Sequence, residues 1–536
     1  MRSIKNQQDL GCFARTIFAP LPPKIYIMPL MRSALEDISK VWPLFDDDWI
    51  FHMIEEQYST ALNDCHSNSA RWATINAILA IAVQWKAANN AVKDVFPISW
   101  SHFKNAFSIF PELVTQVPDF EACRAVLIMA IFMHGTADAR TAHTLLTAAI
   151  QLAQVIGLYR RDLYLTTSPT ENDRHMRVLW TINILGSNAA MKYGLRTPFD
   201  DGDDEMCLSS ANAEASTGGL ALPLAGVNIL RLMAHLAAIQ SKVHERLYSN
   251  VALRQEPIDR VRIVSQMDHQ LEIWRVGLPA TIRPAGSNPL TSIDLEPGVV
   301  NLHFAYYTTA WKIHMALQCP KAFHELIPPS MDASSVRGAD WNIPLRSPTP
   351  VVGARVTLLV LQNMPSQPLV YHWQMLGYSV VAILTLVAAV LDDPSCPEAL
   401  VNVRSVGEFI NNLRRLQLEH GYELQTMILG LLEFYNVAHY VTRAAHDIPK
   451  YESAANQNEN IPGLKKRDIQ LALSRSADLM HVSQGFIGNM PVPCTEAAKI
   501  FLNTSDKTPV SNNGYGPFVP DVLKSQTYNF LFASRP

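Results

Sequence analysis

Apolar residues recur every three or four positions along most of the chain, with polar residues between them. Between residues 139 and 156 the apolar positions form one stripe, consisting of Ala142, Leu145, Leu146, Ala149, Leu152, Ala153 and Ile156. This spacing places them on one face of an α-helix, which buries that face against a neighbour. The pattern predicts an amphipathic helix that ends at Gly157, because a left-handed glycine commonly closes a helix.

A second amphipathic helix is predicted to follow directly. Ser168 can cap its first turn, Pro169 suits the first helical position, and Glu171 has the spacing of a capping-box carboxylate. One face of this helix carries the apolar residues Val178, Leu179, Ile182, Leu185 and Ala189. The chain then leaves the helix through Gly194 and Pro198 toward an acidic segment.

Other helical patterns are predicted over 70–92, 100–110, 120–134, 222–250 and 351–445, and no run alternates as a strand would. The fold class is therefore all-α, a large domain of packed helices. We expect a short leader at 1–20, the helical domain at 21–445, a polar linker at 446–466, and a weakly ordered C-terminal extension at 467–536.

One apolar run could be mistaken for a membrane span. Residues 376–391 are nearly all apolar, and no Asp, Glu, Lys or Arg lies between Arg355 and Asp392. A spanning helix needs about twenty apolar residues, so this run of about sixteen is too short. The sequence predicts a buried core helix and no membrane partner.

Composition limits the function classes. The chain has 44 Lys and Arg against 48 Asp and Glu, a net charge of −4, so it has no basic field that would attract DNA phosphates. Its seven cysteines are scattered singly, without the paired Cys-x-x-Cys spacing of a zinc cluster. We expect reduced thiols, no metal site, and no direct DNA reader within this sequence.

The acidic segment is the one candidate for catalytic chemistry. Asp200, Asp201 and Asp204 satisfy Asp-Asp-x-x-Asp, the pattern with which helical isoprenoid synthases hold magnesium and a diphosphate. Pro198 and Gly202 favour a loop over a helix, and no second metal motif follows downstream. We expect an acidic loop without catalytic residues, and a magnesium-dependent isoprenoid-type enzyme is the alternative.

Three segments carry a family resemblance. "AIQLAQVIGLYRRD", "SPTENDRHMRVLW" and "YGLRTPFDDGDD" resemble, in order and spacing, the middle homology region of fungal zinc-cluster transcription factors, their regulatory domain. The positions that match the family's motif are Gly157, Leu158, Arg161, Glu171, Arg177, Trp180, Gly194, Phe199 and Asp201. We interpret these residues as structural, since Arg177 and Trp180 lie one turn apart on the same helix.

The resemblance implies a transcription regulator in a fungal nucleus, without enzyme activity, that controls a metabolic or biosynthetic gene set. It also implies partners: DNA contacted indirectly, the transcription machinery or a partner regulator, and a small-molecule effector. In the family, zinc is held in a cluster upstream of this domain. We expect either a co-regulator without its own DNA reader or a longer protein whose upstream exon encodes the cluster.

Overall fold

The computed structural model describes residues 17–60, 68–87, 92–135, 139–193, 228–249, 251–284, 296–316, 350–364, 369–420 and 424–455. Within these ranges the secondary structure is helical and contains no β-strand, which confirms the all-α fold class. The α-helices are α1 (Lys24–Val41), α2 (Asp47–Thr60), α3 (Ser69–Lys86), α4 (Val92–Phe107), α5 (Phe110–Thr115), α6 (Phe120–His134), α7 (Ala139–Ile156), α8 (Arg161–Thr166), α9 (Pro169–Tyr193), α10 (Ile229–Tyr248), α11 (Pro257–Gly277), α12 (Pro297–Met315), α13 (Pro350–Asn363), α14 (Leu369–Asp392), α15 (Pro397–His420) and α16 (Gln425–Ala455).

Many helices pack against their neighbours in sequence. Such pairs are α3 with α4, α6 with α7, α9 with α10, α13 with α14, and α15 with α16. All of them except α9 with α10 are joined by a short connection, and pairing of this kind is expected of helical domains. The predicted stripe of α7 is buried or half-buried throughout, as is the predicted face of α9.

Helices α3, α6 and α12 are surrounded on all sides. In α6 every residue from Ala122 to Met133 is buried, and α3 and α12 are nearly as enclosed. A helix that is apolar around its whole circumference belongs in the interior of a large domain. These three helices form the centre of one continuous core that extends from Leu21 to Ala438.

Helix α12 joins the two halves of the chain. It contacts α1, α9, α10 and α11 on the N-terminal side, and α13 and α14 on the C-terminal side. Its buried residues include Phe304, Tyr306 and Ile313, none of which exposes any surface. The C-terminal helices are therefore part of the same folded unit as the N-terminal ones.

The apolar run at 376–391 lies within α14, which packs on α13, α15 and α16. Ile383 and Leu386 are fully buried there, so the predicted core helix is confirmed. Within the described ranges, no helix combines the length and apolar character required to cross a membrane.

Several boundaries differ from the sequence prediction. The helix predicted over 70–92 ends at Lys86, and α4 begins at Val92 and continues through Pro97. Packing on α3 compensates for the backbone hydrogen bond that a proline inside a helix omits. Helix α16 continues to Ala455, ten residues beyond the predicted domain end at 445. Good helix formers such as Glu452 and Ala454 favour that continuation over the polar linker predicted there.

The approach of α12 to α1 depends on a glycine. A Cβ placed on Gly298 would lie 3.0 Å from the backbone carbonyl oxygen of Lys40 and 3.4 Å from Cγ2 of Ile229. Backbone atoms of a packed helix cannot move aside as a flexible side chain can. Gly298 therefore sets the distance between α12 and α1.

We predict that Gly298→Val lowers the free energy of unfolding by about 2 kcal/mol, because the added methyl groups force α12 away from α1. Gly430→Ala is the matched control, since a Cβ at that position meets nothing within 4 Å. Within α16 that change should raise stability by about 0.5–1 kcal/mol. Urea unfolding followed by circular dichroism measures the unfolding free energy of both variants. Equal effects of the two changes would contradict the close approach of α12 to α1.

Candidate functional site

The first motif segment is a turn that redirects the chain from α7 into α8. Gly157 has a φ of +83°, in the left-handed region, and the Leu158 N–H donates to the Ala153 carbonyl oxygen over 2.9 Å. Leu158 is fully buried, and its own carbonyl oxygen accepts from the Tyr164 hydroxyl over 2.7 Å. The glycine stop predicted at the end of α7 is confirmed. Arg161 is the first residue of α8.

The predicted capping box opens helix α9. The Ser168 N–H and hydroxyl donate to one carboxylate oxygen of Glu171 over 3.1 and 2.9 Å, and the Glu171 N–H donates to the Ser168 hydroxyl oxygen over 3.3 Å. Hydrogen bonds from Ser168 lower the pKa of the Glu171 carboxyl below its ordinary value. Asn172 ties this start to α8, since its amide donates to the Tyr164 carbonyl oxygen over 3.0 Å.

The middle of α9 is fixed against the turn between α1 and α2. Arg177 forms an ion pair with Asp173 over 2.6 Å, and it donates to the Pro43 carbonyl oxygen over 3.4 Å. Trp180, one turn on, is 2% exposed and packs in the core. Arg174 pairs with Asp46 over 3.4 Å at the start of α2. These contacts fit the structural interpretation of the motif residues.

Asp46 also caps helix α2. Its carboxylate accepts from the Trp49 N–H over 3.5 Å, and Asp47 and Asp48 occupy the first turn of α2. Negative charge is favourable at that position because it faces the positive end of the helix dipole. Asp46 therefore serves two helices at once, α2 through its cap and α9 through Arg174.

A buried arginine beneath this corner was not identified from the sequence. The side chain of Arg124 is 2% exposed, its guanidinium lies 3.2 Å from the ring centre of Trp49, and it donates to both oxygens of Glu121 over 2.6 and 2.7 Å. Burial lowers the pKa of the guanidinium, and the Glu121 charge opposes that shift. The sequence signal for this residue was a single cation inside the apolar sequence of α6. A charge at a buried position indicates an ion pair, because buried charges are almost always paired.

We predict that Glu121→Gln lowers the free energy of unfolding by about 2 kcal/mol, since it leaves the buried guanidinium without its counter-charge. This expected loss of stability is smaller than for a fully buried ion pair, because Glu121 is 45% exposed. Asp259→Asn is the matched control, because Asp259 and Arg262 have the same spacing on α11 but are 49% and 66% exposed. That control should change stability by less than about 0.5 kcal/mol in the same urea titration. If Glu121→Gln lowers the free energy of unfolding no more than Asp259→Asn does, the ion pair of Glu121 with the buried Arg124 does not stabilise the fold.

A second buried polar group, also missed from the sequence, lies between α3 and α4. The Asn76 amide nitrogen donates to the Trp72 carbonyl oxygen over 3.0 Å, which turns its oxygen toward Asn105 at 2.9 Å and toward Nδ1 of His102 at 3.3 Å. His102 is 3% exposed, and burial lowers its pKa to about 4. Nδ1 carries the proton in this arrangement, because only an N–H can bond to the Asn76 oxygen.

This burial predicts a pH dependence of stability. The folded chain keeps His102 neutral down to about pH 4, whereas the unfolded chain protonates it near pH 6.5. The contribution of neutral His102 to the free energy of unfolding is therefore fully present above pH 6.5. About 3 kcal/mol of it is lost as the pH falls to 4. His102→Gln keeps a donor for Asn76 without titrating, so its unfolding free energy should fall less steeply over that range. Identical pH profiles for the two proteins would show that His102 does not titrate differently on folding.

No metal site occurs in the part of the chain that the structure describes, where no group of three His, Cys, Asp or Glu side chains is placed to hold an ion. The acidic cluster at 200–204 lies outside the described residues, as do the motif positions Gly194, Phe199 and Asp201.

Burial raises the pKa of the Cys123 thiol to about 12, so this cysteine stays protonated.

Comparison with known proteins gives a consistent result. The family model of the fungal specific transcription factor domain matches residues 45–276. An ABC-transporter-regulating transcription factor of Aspergillus fumigatus is 30% identical over 80% of this chain and 48% of its own length. Its counterpart in Aspergillus oryzae is 29% identical, over 84% of this chain and 51% of its own length. The Fusaridione A cluster transcription factor fsdR of Fusarium heterosporum is 22% identical, over 90% of this chain and 89% of its own.

The chain spans about half the length of the two Aspergillus relatives. No solved structure matches it. The Gly157 turn, the capping box at Ser168 and Glu171, and the buried Trp180 all lie inside the matched range. The family resemblance is confirmed over residues 45–276, which match the family model of the fungal specific transcription factor domain.

Proposed function

We propose that this chain regulates transcription in the fungal nucleus and controls a metabolic or biosynthetic gene set. The observation that carries the proposal is the fungal specific transcription factor domain at 45–276. The relative that aligns over most of both chains is named for the Fusaridione A cluster, and the two Aspergillus relatives are named for the regulation of ABC transporters. These names favour a biosynthetic cluster or transporter genes as the target class.

The proposed mechanism is contact with other regulators, not direct reading of DNA by this chain. Its net charge of −4 offers no general attraction to phosphates, and its cysteines lack paired spacing. DNA would be reached through a zinc cluster outside this sequence or through a partner regulator. We propose that the chain itself holds no cofactor, and that the transcription machinery and a small-molecule effector are its other partners.

The enzyme alternative has less support. It depends on the acidic cluster at 200–204, for which the described residues provide no additional metal-binding group. The relatives are named as transcription factors and not as enzymes. We therefore propose a protein without catalytic activity.

The proposal can be tested by tethering the whole chain to a heterologous DNA-binding domain upstream of a reporter gene in a fungal host. We expect reporter transcription to change relative to the DNA-binding domain alone, because a regulatory domain acts through bound partners. Glu121→Gln and Asp259→Asn in the same fusion test whether the effect on the reporter depends on the folded corner around α9. The first weakens the corner around α9 and should reduce the effect, whereas the second should not.

Two results would contradict the proposal. One is an unchanged reporter from a folded fusion, together with an unchanged transcript profile after deletion of the gene. The other is magnesium-dependent release of diphosphate from an isoprenyl diphosphate that disappears in Asp200→Ala. That second result would establish the enzyme instead.

A further inference from the structure

Residues 17–20 lie against α4 as a short non-helical segment, which we call the strap. The Phe18 N–H donates to the Asn105 side-chain oxygen over 2.7 Å, and the Asn105 amide nitrogen donates to the Ala19 carbonyl oxygen over 2.6 Å. One side-chain amide therefore bonds the N–H of one residue and the carbonyl of the next. Hydrogen bonds of this kind recognise a peptide backbone and not a particular side chain.

The amide that holds the strap is oriented before the strap binds. Asn105 is fully buried, and its nitrogen also donates to the Asn76 oxygen over 2.9 Å. Asn76 is fixed in turn by the Trp72 carbonyl oxygen. Because the Asn76 oxygen can only accept, the Asn105 amide nitrogen must face it, and Asn105 cannot rotate to present the opposite polarity to the strap. A site with its donors and acceptors fixed in advance loses less entropy on binding.

Little apolar surface holds the strap in place. The Ile17 side chain is 40% exposed and Phe18 is 39% exposed. The Phe18 ring lies 4.5 Å from the Lys104 ammonium, a contact that orients the ring without removing it from water. The first core residue is Leu21, at 4% exposed. Detachment up to that residue would therefore leave the core intact.

The chain after Leu21 is anchored independently. The Tyr58 hydroxyl donates to the Pro22 carbonyl oxygen, and Lys24 pairs with Glu55, so both contacts tie this segment to α2. The strap itself bonds to Asn105 and contacts Lys104, both on α4. The segment before Leu21 and the segment after it are therefore held by different helices.

We propose that Asn105 and Lys104 form a peptide-binding site on α4, that the strap is its occupant, and that the strap detaches without unfolding the helical domain. The ligand class is a peptide with an aromatic residue whose N–H is free, followed by a residue with an accessible carbonyl. This proposal does not depend on the proposed function.

Hydrogen exchange of the full chain, read by mass spectrometry, tests the attachment. In Asn105→Ala we expect exchange within the strap to become about tenfold faster, since the Phe18 N–H and the Ala19 N–H lose their acceptor. Protection of α3 and α4 should fall less than that of the strap, because Asn76 keeps its bonds to Trp72 and His102. Asn411→Ala is the matched control, because Asn411 is exposed and its side chain accepts from the nearby Arg414 over 3.3 Å. It should leave the strap unchanged.

Competition tests whether the site accepts a peptide. A synthetic peptide of residues 15–22, at about 10 mM, exceeds the roughly millimolar effective concentration of a tethered segment. It should accelerate exchange of the chain's own strap. The same peptide with an N-methyl group on the Phe18 nitrogen lacks the donated hydrogen and should have no effect. This arm uses the unaltered chain, so it decides the matter even if Asn105→Ala fails to fold.

The proposal is wrong if Asn105→Ala leaves strap exchange unchanged, or if α3 and α4 lose as much protection as the strap. In the latter case Asn105 would stabilise the fold and would not form a separate site. Equal effects of the two peptides, or an effect of neither, would also overturn it.

Discussion

Burial of helix α12 on every side is the constraint on which the rest of the structure depends. Its residues lie C-terminal to the matched range 45–276, yet it packs on α1, α9 and α10 as well as on α13 and α14. An apolar helix without a solvent face is stable only when all of its neighbours are present. The folding unit is therefore larger than the matched domain, and it includes the helices on both sides of α12.

The motif residues owe their positions to this enclosure. Helix α9 is started by the Ser168–Glu171 cap, held at Pro43 by Arg177, and fixed in the core by Trp180. Each of these groups is satisfied inside the protein, as expected of residues that shape a scaffold. On the proposed function, regulation would act through surfaces and segments attached to the scaffold. The strap held by Asn105 is one such segment, since its attachment uses backbone hydrogen bonds and little of the core.

The sequence was most informative where a helix has one buried face. In α7 and α9 the apolar residues recur at helical spacing, and both the helices and their buried faces follow from it. The ends were less certain, as the early start of α4 and the extension of α16 to Ala455 show. A proline or a polar stretch lowers the helical preference of a segment by a small amount, and tertiary packing on a neighbour is large enough to override it.

What the sequence by itself determined is local: the all-α class, the glycine stop at Gly157, and the cap at Ser168. Each depends on residues within one or two helical turns, so spacing along the chain is sufficient to predict it. Only the tertiary structure decided which distant residues meet, such as Trp49 with Arg124 and Phe18 with Asn105. The hydrophobic pattern predicts which face of a helix is buried. Which other helix packs on that face depends on the packing of the whole chain.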